Sequence, residues 1–162
     1  RGGLGGEVEV SMKLTTVDWQ MLDVMFVTRD SVELSAWNHR TGELPLSSNA
    51  AWRGCAAHFP RTQHPNEIVL VDGLYSPTRV PQKLAAGKWT RLRLQIFSDG
   101  RCGIAVDGQP VTVGERRVAF GSNVTLVIHG YSHGTRTLVG PLIVWRGVRQ
   151  DVDWSGSVIR RR

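Results

Sequence analysis

Two short segments of the chain carry the side chains best suited to recognising a ligand. In Trp37-Asn38-His39-Arg40 an aromatic ring stands beside three hydrogen-bonding side chains, and His129–Arg136 places two histidines, a tyrosine and an arginine on a glycine-rich stretch. An exposed ring can stack on a sugar or on an arginine of a partner, while the polar groups bind the rest of the ligand. The binding residues predicted from these patterns are Trp37, Asn38, His39, Arg40, Tyr131, His133 and Arg136. The alternative for both segments is structural, with Trp37 capping the core and the glycines serving turn geometry.

The histidines lack the spacing of a metal site. His129 and His133 follow a predicted strand rather than lying on a helix, and no glutamate follows His129. Further ligands would have to come from distant positions such as His39 or Asp107. We therefore predict that the chain holds no metal and no cofactor.

The clearest element of the chain is a β-hairpin that begins near residue 88. Between Thr90 and Ile96, residues suited to a core alternate with arginines and a glutamine, which is the two-residue period of a half-buried strand. Asp99-Gly100 and Asp107-Gly108 are turn signals on either side of the following strand. The pattern predicts a hairpin with one polar and one apolar face.

This hairpin resembles a recurrent strand pair of laminin-G-like and concanavalin A-like jelly rolls, through Lys88–Leu94 and Ile104–Val111. Val124–Gly130 resembles the strand that follows the hairpin in such domains, and Leu138–Gly147 resembles the closing strand that packs beside the first. Together these pieces cover residues 86–148. The resemblance implies an all-β fold, an antiparallel two-sheet β-sandwich of the concanavalin A-like jelly-roll type found in lectins and glucanases.

The rest of the chain contains strand patterns without a specific resemblance, and we infer that they join the same sandwich. A long irregular excursion is predicted over residues 38–67, with a short strand near Gly54–His58 inside it, and a second loop over residues 75–81. The predicted domain organisation is a flexible lead-in over 1–6, one β-sandwich over 7–156 and a basic tail over 157–162. Further strands are predicted at residues 7–14, 22–28, 32–37, 68–71 and 116–120.

The six tryptophans divide between packing and binding, because a ring in a strand usually fills the core. Trp89, Trp145 and Trp154 are predicted to be structural. Trp37 is the one placed on a binding face, and Trp19 and Trp52 are left unassigned.

Motifs for catalysis are missing from the sequence. There is no phosphate-binding glycine loop that ends in Lys-Ser or Lys-Thr. The Glu-x-Asp-x-x-Glu arrangement of glucanases that share the resembled fold is also lacking. Glycoside hydrolysis needs two carboxyls facing one bond, whereas Glu7 and Glu9 are expected on an exposed first strand and Asp151 and Asp153 in a C-terminal turn. We therefore predict that the domain is not an enzyme.

Two cysteines, Cys55 and Cys102, allow one disulfide that would close a loop of 47 residues. On the chain-entropy model such a bridge stabilises the fold by about 4 kcal/mol. Cys102 falls in a predicted strand, so a buried free thiol is the alternative. A bridge would fit an extracytoplasmic setting, either periplasmic or at the cell surface.

The charge is basic, with 20 Lys and Arg against 14 Asp and Glu, and 17 of the basic residues are arginine. The only dense run is Arg160-Arg161-Arg162, and basic residues are not interleaved with exposed aromatics as nucleic-acid binding requires. We predict an interaction module that docks onto a protein partner, as a domain or accessory subunit of a bacterial envelope or membrane assembly. A membrane anchor, if there is one, would lie outside these residues. The alternatives are a lectin-like carbohydrate-binding module and, third, a degenerate enzyme of glycosidase fold.

Overall fold

The computed structural model describes residues 5–14, 20–28, 54–58, 66–72, 77–120, 124–132, 137–147 and 152–154. These ranges contain ten strands and no helix, so none of them holds a helical segment suited to crossing a membrane. The strands are β1 Gly6–Leu14, β2 Gln20–Thr28, β3 Gly54–His58, β4 Glu67–Asp72, β5 Pro77–Pro81, β6 Trp89–Ile96, β7 Cys102–Val106, β8 Gln109–Val113, β9 Val124–Ser132 and β10 Thr137–Arg146.

The strands form two five-stranded sheets in which every pairing is antiparallel. The first sheet has the order β10-β1-β6-β7-β8, and the second has the order β5-β4-β3-β2-β9. As predicted, β10 pairs with β1, and the strands from the N-terminal half belong to the same sandwich. The predicted all-β, two-sheet antiparallel architecture is therefore confirmed.

The core lies between the sheets and follows from alternation along the strands. On β1, Val8, Val10 and Met12 are fully buried in the core, while the alternate residues turn away from it. Leu92 and Leu94 on β6 do the same, and β1 and β6 pair along their whole length. Burying each such side chain contributes about 1.5–3 kcal/mol.

The two predicted turns join β6, β7 and β8. Asp107 and Gly108 have φ values of 50° and 81°, which is the pair of positive values that a type I′ hairpin turn requires. In the β6–β7 turn, Asp99 accepts hydrogen bonds from the Arg101 backbone N–H at 3.1 Å and from the Arg101 guanidinium at 2.7 Å. Burial raises the pKa of Asp99, but these bonds and the charge of Arg101 lower it, so that this pKa lies below its usual value.

A disulfide joins Cys55 on β3 to Cys102 on β7, with 6.3 Å between their Cα atoms. Both residues are fully buried in the core and belong to different sheets. The bridge therefore ties the two layers of the sandwich together.

Two of the sequence predictions about elements are wrong. Residues 116–120 form no strand, because β8 is the strand that pairs with β7 at this edge of the sheet. The backbone N–H of Val118 instead donates to the Gly100 carbonyl at 2.8 Å. Residues 77–81, predicted as a loop, form β5. Prolines at both ends of β5 are compatible with a strand because β5 lies at the edge of its sheet. The strand predicted at 32–37 lies outside the described residues.

Candidate functional site

The outward face of the first sheet holds the candidate site. Strands β10, β1 and β6 are adjacent, and residues opposite each other in an antiparallel pair share one face. The pairings arrange the outward side chains in four rows, which we call the outer ladder. Its rows are Leu138–Lys13–Trp89, Gly140–Ser11–Arg91, Ile143–Glu9–Arg93 and Trp145–Glu7–Gln95. The β1–β10 register shifts between Val10 and Met12, and there the closeness of Gly140 to Ser11 defines the row.

Trp89 forms an open aromatic surface at one end of the outer ladder. Its indole reaches from β6 over β1 to β10, because a Cβ atom placed on Gly140 would lie 3.0 Å from Cζ3 and 3.4 Å from Cη2 of the ring. The missing side chain at Gly140 thus makes room for the indole. Trp89 remains 49% exposed, so it is an aromatic ring held against the sheet and open to solvent.

Polar side chains surround this ring. Lys13 is directly opposite Trp89, while Ser11 and Arg91 form the next row. Arg91 is exposed, and Lys13 and Ser11 are half-buried. An ammonium, a guanidinium and a hydroxyl supply several donors and one adaptable acceptor next to an aromatic surface.

On β1 and β6 the other half of the outer ladder is ionic and mostly buried, whereas Ile143 on β10 is 43% exposed. Arg93 donates to the Glu9 carboxylate through Nη2 at 2.7 Å, and its Nε lies 3.9 Å from the Glu7 carboxylate. Glu7 and Arg93 are buried, so the expectation that both glutamates are exposed is wrong for Glu7. Glu7 can be buried because the positive guanidinium of Arg93 lies close to its carboxylate. Both carboxylates share one arginine on one strand face, unlike a glycosidase pair that faces a bond from two sides.

Trp154 packs beyond this ionic half, where it covers a glycine of β7. A Cβ atom on Gly103 would lie 2.7 Å from Cζ3 of Trp154, and the Trp154 ring meets Phe97 edge to face with centroids 5.2 Å apart. Gly103 is opposite Gln95, so this packing adjoins the fourth row. Open surface on the outer ladder is therefore concentrated toward Trp89.

The outward face of the second sheet carries a buried histidine–aspartate pair instead. His58 Nδ1 lies 2.5 Å from Asp23 Oδ1, and both residues are less than 5% exposed. Register places them in one row across the sheet, Arg79–Val69–His58–Asp23–His129. The same face buries an apolar cluster of Met25, Val27, Ala56, Val69 and Val71. This burial assigns the pair a structural role, and within the described ranges no group of three or more His, Cys, Asp or Glu is placed to hold a metal ion.

Most of the predicted binding residues lie outside the described part of the chain. This holds for Trp37–Arg40, His133 and Arg136. Tyr131 lies in β9, where its backbone is opposite Met21. These assignments remain predictions.

Trp89 was predicted to be structural because a ring in a strand usually fills the core, but the ring is exposed and is a functional candidate. The alternation along β6 indicates its exposed position. Thr90 and Leu92 face the core, so Trp89 shares its face with Arg91 and Arg93. A tryptophan in phase with two arginines belongs to the polar face of its strand.

A second exposed surface follows β10, the edge strand of the first sheet. Five large apolar side chains there are 43–55% exposed: Leu138, Val139, Leu142, Ile143 and Val144. They point to both faces of the strand, since Val144 is opposite the core residue Val8 and Ile143 is opposite Glu9. The sandwich is therefore open along this edge.

The fold has counterparts among solved structures. No protein-family model and no curated protein sequence matches the chain. A Bacillus subtilis protein of unknown function with a galectin-like fold matches with a TM-score of 0.63 and 13% identity, over 91% of this chain and 74% of that one. The carbohydrate-binding module CBM66 from Bacillus subtilis matches with a TM-score of 0.53 and 10% identity, over 88% and 75%.

A sialidase from Trypanosoma rangeli, solved with sialic acid, matches with a TM-score of 0.59 and 10% identity. The match covers 91% of this chain, which spans only 22% of the sialidase. At such identities the likeness extends to the fold alone. The chain is thus similar to jelly-roll β-sandwiches of the concanavalin A-like, lectin and glucanase type, as the resemblance of residues 86–148 implied.

Proposed function

We propose that this domain is a non-catalytic carbohydrate-binding module whose site is the Trp89 end of the outer ladder. The observation that carries the proposal is the indole of Trp89, which is held against Gly140 and is 49% exposed. We therefore place the lectin-like function, an alternative in the sequence analysis, ahead of docking onto a protein partner.

Stacking explains why such a ring suits a sugar. One face of a pyranose presents mainly C–H groups, whose partial positive charge is attracted to the negative face of an aromatic ring. An indole already held against a glycine loses little freedom when the sugar binds, so the contact costs little conformational entropy. Ser11, Lys13 and Arg91 lie close enough in register to bind hydroxyl groups at the rim of the stacked ring.

Known structures support the same class of ligand. CBM66 is a carbohydrate-binding module, and the Trypanosoma rangeli sialidase was solved with a sugar acid. The sialidase's catalysis is not carried over, because this chain spans 22% of that protein. Glu7 and Glu9, which share Arg93 on one face, favour a binding role over hydrolysis.

A glycan array with the wild-type domain and five variants tests this function. We expect saturable binding of one sugar class that Trp89→Ala weakens by about tenfold or more and Trp89→Phe retains. Lys83→Ala, which removes an exposed charge outside the outer ladder, serves as the matched control. Binding that survives Trp89→Ala but is lost in Trp37→Ala or Tyr131→Ala would move the site to the predicted loops. No binding to any glycan would refute the proposal.

Docking onto a protein partner is the second candidate, favoured by the exposed apolar side chains of β10. Exposed apolar patches on an edge strand are characteristic of protein interfaces. In this alternative, Leu142→Asp abolishes association with the protein that co-purifies with the domain, while Trp89→Ala does not. The reverse pattern would favour the carbohydrate site.

We also propose an extracytoplasmic location and a single folded domain over residues 7–156. The disulfide between Cys55 and Cys102 supports the location, because such bridges persist in oxidising compartments. Thiol labelling of the protein in its native cell checks this. Free thiols at Cys55 and Cys102 in the native protein would contradict the proposed compartment.

A further inference from the structure

The cations beside Trp89 differ in one respect from three other described cations of the sandwich. Arg79, Arg93 and Arg101 each form an ion pair with a carboxylate, at 3.3, 2.7 and 2.7 Å. Lys13 and Arg91 form no ion pair in the described part of the chain. Among the described residues, the open end of the outer ladder therefore carries two cations that form no ion pair, next to an aromatic ring.

Their positions let both reach one group on a stacked sugar. Lys13 is directly opposite Trp89, and Arg91 is the next outward residue on β6, so the two cations are diagonal neighbours. Diagonal neighbours in an antiparallel pair have Cα atoms about 7–8 Å apart, within reach of long side chains. A substituent that projects between them can contact the ammonium and the guanidinium together.

Two carboxylates near these cations, those of Glu9 and Asp107, already accept hydrogen bonds from other groups. Glu9 is held by Arg93 at 2.7 Å. One oxygen of Asp107, in the turn between β7 and β8, accepts a hydrogen bond from the backbone N–H of Arg91 at 2.8 Å. The electrostatic preference at the open end is therefore for a negative ligand group.

We propose that the Trp89 site selects sugars that carry an anionic substituent, a carboxylate or a sulfate, held between Lys13 and Arg91. This inference rests on the proposed carbohydrate-binding function. The guanidinium of Arg91 binds two oxygens of the anionic group side by side, and Lys13 acts as a point charge. Exposed ion pairs of this kind are individually weak, so the two together favour the anionic sugar by about fivefold.

Calorimetric titration with three matched oligosaccharides tests the inference: a neutral one, its uronic acid counterpart and its sulfated counterpart. At low salt we expect the anionic members to bind about fivefold more tightly, and at high salt we expect that advantage to shrink because exposed charges are screened. Whichever of the two anionic members binds more tightly identifies the substituent.

Four variants separate the contributions. Lys13→Gln and Arg91→Gln should each lower the ratio of anionic-sugar to neutral-sugar affinity by about two- to threefold. Lys83→Gln, an exposed lysine outside the outer ladder, should change neither affinity. Trp89→Ala should weaken all three sugars.

The outcomes distinguish this inference from the function on which it rests. Equal affinity for neutral and anionic sugars, with loss of both in Trp89→Ala, refutes the charge selectivity and leaves the binding function intact. Anionic binding that persists in Trp89→Ala shows attraction to charge without stacking and overturns the proposed site. Failure of every oligosaccharide to bind refutes the function itself.

Discussion

Replacing Trp89 with alanine removes the stacking surface of the outer ladder and leaves the core residues of β6 in place. A tryptophan side chain presents up to about 250 Å², so its 49% exposure leaves about 120 Å² for contact. A sugar stacked on one face covers about half of this area, and about 60 Å² at 25–30 cal/mol per Å² is worth about 1.5–2 kcal/mol. The expected loss of affinity is about tenfold to thirtyfold.

Isothermal titration calorimetry with the sugar selected on a glycan array measures this loss. Trp89→Phe keeps an aromatic face and should lose about threefold or less, and thermal unfolding of each variant confirms that the fold is retained. Equal affinities of the wild type and Trp89→Ala, with both proteins folded, would refute the reasoning. They would show that the exposed indole takes no part in recognition.

Three further predictions concern the support of the site and the sandwich. Gly140→Val should weaken sugar binding about as strongly as Trp89→Ala, because the Cβ atom of the valine would lie 3.0 Å from the indole and displace the ring. Sugar titration curves equal to those of the wild type would contradict this. Replacing Cys55 and Cys102 with alanine should cost about 4 kcal/mol and lower the melting temperature by about 8–16 °C, whereas a shift under 2 °C would show that the bridge contributes little. Asp23→Ala removes the buried carboxylate beside His58 Nδ1 and should cost about 1–3 kcal/mol in urea unfolding; an unchanged unfolding curve would contradict a structural role.

The architecture was predictable where local patterns and turn chemistry agree. Alternation over residues 90–96 specifies the strand β6, because the strand needs one apolar face. Asp107-Gly108 specifies the turn between β7 and β8, because that turn needs two positive φ values. Pro77–Pro81 shows the limit of such rules. Proline excludes a central strand, and only the sheet order reveals that β5 is an edge.

The site was harder to predict because it depends on neighbours that are distant in sequence. Trp89 shares its face with Arg91, which the alternation indicates, but the glycine that makes room for its ring lies on β10. Glu7 is buried for the same kind of reason, since the compensating Arg93 belongs to another strand. A local sequence pattern identifies neither the space that Gly140 on β10 leaves for the Trp89 ring nor an ion pair between side chains of two strands.

A titration of the isotope-labelled domain with its sugar, followed by nuclear magnetic resonance, tests most directly whether the outer ladder is the binding face. The account predicts shifts in the Trp89 indole N–H and in the backbone amides of Ser11, Lys13, Arg91 and Gly140, with the amides of β3 and β4 unchanged. Shifts confined to the second sheet or to the loops around Trp37 and His133 would contradict it.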